Sequence, residues 1–110
     1  MADDTYNGWT NRETWSLMLW INNDEGLQSM AREYVSTSAR VLSVTPTYDA
    51  SVALEEWVES MFTRSGYADT FGTPWPDALA DIAEDIGSLW RIDYYEAAAS
   101  ILEDIAESVA

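Results

Sequence analysis

Twenty carboxylates stand against five arginines in 110 residues, with no lysine and no histidine, giving a formal net charge of −15. Self-repulsion on that scale opposes a compact state, so the chain must gain enough from apolar burial to overcome it and must keep its acids at the surface. The charge is also uneven. Residues 1–48 carry six acids and three Arg, whereas residues 49–110 carry 14 acids and two Arg. The excess therefore belongs to the second half, and whatever that half meets is expected to be basic or to value solubility.

The apolar area is present. Hydrophobic residues make up 47% of the chain, and six Trp and six Tyr separate it from the aromatic-poor acidic sequences that stay disordered. The length suits one domain with a real core. The absence of Cys excludes disulfides, a thiolate metal site and a thiol nucleophile. No basic segment precedes an apolar run at the N-terminus, and no stretch approaches the roughly 20 apolar residues of a membrane span, so a soluble, cytoplasmic protein is expected. Lipid headgroups and free nucleic acid are themselves anionic, which argues against both as direct partners.

Periodicity predicts an all-α fold, one compact domain over residues 1–110 with about five helices. Thr10 and Glu13 have capping-box spacing ahead of a helix from Asn11 to Ile21, apolar nearly all round from Trp15 through Leu17, Met18, Leu19, Trp20 and Ile21 and expected at the centre of the fold. Asn22-Asn23-Asp24 breaks it, and Glu25 to Ser36 reads as a second helix with Leu27, Met30, Ala31, Tyr34 and Val35 on one face. Ser36 to Tyr48 reads as loop, with a short extended piece possible at residues 41–44. A third helix begins near Asp49, capped by Asp49 or Ser51, and buries Leu54, Trp57, Val58 and Met61. Arg64 to Thr73 reads as loop. Pro74 and Pro76 then open a helix that ends at Gly87, and Asp93 caps a last one whose Tyr94, Ala98, Ile101, Leu102, Ile105 and Val109 share a face.

Three of these helices pair an apolar face with an acidic one. At about 100° per residue, Asp77, Asp81, Glu84 and Asp85 fall opposite Leu79, Ile82, Ala83 and Ile86. Asp93, Glu96, Glu103, Asp104 and Glu107 face away from Tyr94, Ile101 and Ile105, and Glu55, Glu56 and Glu59 line the third helix. Asp77 to Asp85 places four charges along about 12 Å, near the roughly 3.4 Å phosphate spacing of one DNA strand. Such stripes suit a Lys/Arg groove built for nucleic acid. A merely solvated acidic face and adaptation to high salt stay open as other readings of the same residues, the uneven distribution arguing against the latter.

Tyr6 to Trp15 is the least generic stretch. Gly8, Trp9, Asn11, Thr14 and Trp15 form Gly-Trp-x-Asn-x-x-Thr-Trp ahead of the apolar helix and its Asn/Asp turn. This resembles a family of small proteins encoded by phages and mobile elements, over roughly residues 6–26. The resemblance implies an accessory gene of mobile DNA, a setting in which small acidic inhibitors of host defence are frequent. The acidic second half likewise resembles DNA-mimic anti-CRISPR and anti-restriction proteins in composition and helical stripes. Trp15 and Trp20 are expected in the core, Tyr6 and Trp9 are candidates for aromatic contact with a partner, and Arg12 and Arg91 are expected to pair with neighbouring acids.

An enzyme is not expected. General-base histidine, thiol and Schiff-base lysine are all missing, no Gly-rich phosphate loop or Ca²⁺ loop is present, and no cofactor or metal is implied. The expected function is an anti-defence inhibitor occupying the nucleic-acid groove of a CRISPR effector complex, as a monomer or homodimer. A restriction enzyme is the alternative target. A helical adaptor whose acidity serves only solubility is the alternative mechanism. Its expected contacts are Glu55, Glu56, Glu59, Asp77, Asp81, Glu84, Asp85, Glu96, Glu103, Asp104 and Glu107.

Overall fold

The computed structural model describes residues 6–40 and 45–108. Its first helix, α1 (Arg12–Asn23), starts by a different device from the expected capping box. Asn11 is the cap: its backbone is extended, and its Oδ1 accepts the Thr14 N–H at 2.9 Å. Thr10 lies one residue too early, and its N–H donates to Glu96 Oε1 at 3.0 Å instead. Asp24 ends α1, and its Oδ1 accepts the Leu27 N–H at 3.0 Å, so one residue both breaks the first helix and caps α2 (Glu25–Arg40).

Helix α2 runs four residues beyond the expected Ser36. Helix α3 (Pro46–Phe62) begins before the expected Asp49, because Pro46 supplies a φ already suited to a first turn. Ser51 is inside the helix, its Oγ donating to the Tyr48 carbonyl at 2.6 Å, and does not cap it. The possible extended piece at residues 41–44 lies outside the described residues. The Arg64–Thr73 loop is corrected to a helix, α4 (Arg64–Phe71), capped by Thr63 Oγ1 on the Gly66 N–H and closed by Gly72 in the left-handed region. A side chain at Gly66 would collide with the Glu59 carbonyl, so glycine sets how closely α4 follows α3. Helix α5 (Asp77–Ile86), a 3-10 turn (Leu89–Arg91) and α6 (Tyr94–Ser108) complete the chain. Asp93 caps α6 as expected, its Oδ1 accepting the Glu96 N–H at 3.0 Å.

The central helix is α3, not α1. Ala50, Leu54, Trp57, Val58, Met61 and Phe62 are all buried, and α3 packs on α2, α4, α5 and α6. Helix α1 buries Leu17, Met18 and Ile21 but leaves Leu19 exposed and Trp15 and Trp20 only half-buried. Ile82 and Ile86 of α5 and Ala97, Ala98 and Ile101 of α6 close the same core. Val109, expected on the α6 face, lies outside the described residues. The thinnest dimension, 23 Å, equals about two helix diameters. A two-layer, single all-α domain of six α-helices among the described residues results. A sheet this thin of packed helices leaves every helix one outer face, and that is where the acids go.

Candidate functional site

Helices α3, α5 and α6 each carry four carboxylates and no arginine. Glu55, Glu56 and Glu59 on α3, Asp77, Asp81 and Glu84 on α5, and Glu103 and Glu107 on α6 are exposed. Asp85, also exposed, and Glu96 accept hydrogen bonds from elsewhere in the fold. Asp85 Oδ2 accepts from Trp20 Nε1 at 2.8 Å and from Ser16 Oγ at 3.4 Å, tying α5 to α1. Glu96 accepts from Thr10, and Asp104 is half-buried.

Glu55 and Glu59 come close to the start of α6. Burial first, and then these two charges, hold the Tyr94 hydroxyl protonated well above the ordinary phenol range. That hydroxyl donates to the Leu89 carbonyl at 3.0 Å. Beside it, Glu59 and Asp69 border a cavity of about 390 Å³ with Thr63, Ser65, Gly66 and Leu89. The α3 acids are thus continuous with α4 and with the α5–α6 connection. Among the described residues, no cluster of His, Cys, Asp or Glu is placed to hold a metal ion, and no helix is long and apolar enough to cross a membrane.

The N-terminal motif is a clasp. Asn11 Oδ1 takes both the N–H and the hydroxyl of Thr14, while its Nδ2 donates to the Arg91 carbonyl at 2.6 Å. The fully buried Thr14 Oγ1 in turn accepts the Asp93 N–H at 2.8 Å. Glu13 pairs with Arg91 at 3.4 Å, as expected for that arginine. Arg12 departs from expectation: its Nη1 and Nη2 donate to the carbonyls of Asp85 and Ile86, because the C-terminus of α5 offers unpaired carbonyls and no cation of its own. Gly87, with φ +95°, leaves the room, since a Cβ there would sit 2.8 Å from Arg12 Nη2. Tyr6 and Trp9 pair through their backbones in a tight hairpin with Asn7 and Gly8 at positive φ. Tyr6 meets Trp15 at a tilt, with ring centroids 5.1 Å apart, and Trp9 is half-buried against the core. Trp9 is therefore partly occupied by the fold, whereas Tyr6 stays exposed.

The most exposed aromatic among the described residues is Trp90, 80% exposed on the 3-10 turn, with the Arg91 guanidinium 5.7 Å from its ring centroid. Sequence reasoning passed over it because no periodic face includes it. The available signal is position: this tryptophan lies in the short connection between the Gly87 stop and the Asp93 cap, outside any helix face.

A family described as a family of unknown function (DUF7249) matches residues 2–90, a span that includes the whole motif and helices α1 to α5. No curated protein and no solved structure matches the chain.

Proposed function

The chain belongs to DUF7249, a family of unknown function, and we propose that it is an anti-defence inhibitor that presents its acidic helices, in the manner of DNA, to the nucleic-acid groove of a CRISPR effector complex. The supporting observation is the composition of α3, α5 and α6, whose exposed carboxylates have no arginine on the same helix to neutralise them. An ordinary solvated helix face mixes both signs, because like charges at i,i+4 cost a few tenths of a kcal/mol per pair. Retaining that repulsion on three helices is what a surface meant for a cationic groove requires. Association is then steered by the field of the net charge and weakens steeply with salt as counterions return. Inhibition of such a complex requires the protein to act in the cytoplasm of the host cell. An adaptor docking through the N-terminal aromatics is less favoured, since Trp9 and Trp15 pack within the fold.

Displacement of labelled DNA from purified CRISPR effector complexes, with restriction enzymes in parallel, tests the reading. Wild-type protein is expected to displace DNA from a CRISPR complex at low salt. The variant Asp77→Lys/Asp81→Lys/Glu84→Lys, which spares the structurally engaged Asp85, is expected to lose that ability while keeping its helical circular dichroism spectrum. Undiminished displacement by the variant overturns DNA mimicry. Displacement from a restriction enzyme alone reassigns the target.

A further inference from the structure

We propose that Trp90 is the anchor through which the protein grips its basic partner, an indole held out on a turn that the N-terminal motif makes rigid. The proposal rests on the reading of the acidic helices above and adds to it a contact that is not electrostatic in origin. Trp90 is the most exposed large hydrophobic side chain among the described residues, at 80%. A tryptophan ordinarily buries 150–250 Å² or so, and aromatic anchors of that kind dominate binding energy at interfaces.

A loosely tethered turn would let the ring fold back onto the protein. This turn is fastened on both sides. Arg12 holds the carbonyls of Asp85 and Ile86 before it, Asn11 holds the Arg91 carbonyl within it, and Thr14 holds the Asp93 N–H after it. The Tyr94 hydroxyl adds a bond to Leu89, and the Arg91 side chain is drawn to Glu13. The backbone that carries the indole is ordered before any partner arrives, which removes part of the entropic cost of binding.

The surroundings select the occupant. The turn joins α5 and α6, each with four carboxylates and no arginine, so the indole stands between two acidic helices. A ring face attracts cations, and Arg91 already uses that attraction at 5.7 Å. A basic protein groove offering an apolar slot flanked by Arg or Lys complements this arrangement. A second copy of this chain, at −15, and an anionic lipid surface do not.

Trp90→Ala, Trp90→Phe and the α5 triple reversal, titrated in the DNA-displacement panel at two salt concentrations, test the proposal. Truncation of an anchor is expected to weaken displacement by about 30-fold or more at both concentrations. It removes no charge, so the salt slope stays that of wild type, whereas the triple reversal flattens it. Phenylalanine recovers part of the loss. A Trp90→Ala variant within threefold of wild type overturns the anchor while leaving the acidic reading intact. Loss with Trp90→Ala but not with the triple reversal sustains the anchor and overturns mimicry, and no displacement by wild-type protein overturns both.

Discussion

Thr14→Val tests the N-terminal clasp with the least change of shape. The Thr14 hydroxyl is fully buried, donates to Asn11 Oδ1 at 2.7 Å and accepts the Asp93 N–H at 2.8 Å. Valine keeps the branched outline and removes both bonds. A neutral hydrogen bond contributes about 1 kcal/mol, and stranding a buried donor costs about 1–3 kcal/mol. Offset by the more favourable burial of a methyl, of the order of 0.8 kcal/mol, the expected loss is about 2 kcal/mol. In a domain of this size that lowers the melting temperature by about 8–16 °C. Asn11→Ala, which removes a helix cap and the bond to Arg91, is expected to cost about 2 kcal/mol as well. Because the hydroxyl bond from Thr14 to Asn11 is lost in both single variants, the double variant should fall short of the sum by about 1 kcal/mol. Thr10→Ala, at an exposed residue, should cost less than about 0.5 kcal/mol. Urea denaturation of the four variants decides the matter. Near-wild-type stability of Thr14→Val and Asn11→Ala, or a dominant loss at Thr10, would refute the clasp and return the helix cap to Thr10.

Three further outcomes follow from the same contacts. The Tyr94 pKa is raised in the fold by burial and by Glu55 and Glu59, so its contribution to stability is complete below the unfolded value near 10 and is lost as pH climbs above it; Tyr94→Phe should flatten the fall in urea stability between about pH 10 and 11.5, and parallel curves would contradict this. Gly87→Ala places a methyl against Arg12 at positive φ and should cost about 2 kcal/mol in a denaturation curve, an unchanged midpoint being the contrary result. Raising salt from about 0.01 M to about 0.1 M shortens the Debye length from about 30 to about 10 Å and should raise the melting temperature by relieving self-repulsion, so a flat or falling trend would contradict the weight given to it.

The helices legible in the sequence were those with a buried face. Leu54, Trp57, Val58 and Met61 stand at helical spacing and are all buried, as are Ile82 and Ile86. Helix α4 was not legible because it buries none of its residues and so has no apolar period to read; its order comes from the Thr63 cap and from Gly66 lying against α3. The cap of α1 was misplaced for a related reason. Thr10 and Asn11 are both capping residues, and the choice between them is made by Arg91 and Asp93, about 80 residues away. The acidic stripes were visible, but not that Asp85 and Glu96 would be drawn into hydrogen bonds with α1 and its lead-in, which depends on how α5 and α6 pack beside it. Trp90 stood out in neither pattern, since exposure of a single aromatic is a property of the assembled fold.

The motif and the charge, which look like separate features of the sequence, are physically linked. Helices α5 and α6 each bear four carboxylates and no arginine, so self-repulsion acts on both sides of the connection between them. The ion pair that does stand there, Arg91 with Glu13, holds an acid of α1 and not one of α5 or α6. The chain fastens that connection largely from α1 by other means: uncharged hydrogen bonds from Asn11 and Thr14, and the Arg12 guanidinium on backbone carbonyls instead of on a carboxylate. Arg12 also supplies the positive charge that the C-terminus of α5 lacks, complementing its helix dipole at no expense to the acidic face. A fold that must remain closed while keeping Asp77, Asp81 and Glu84 unneutralised needs such a fastening, and the near-neutral N-terminal segment is where it is found.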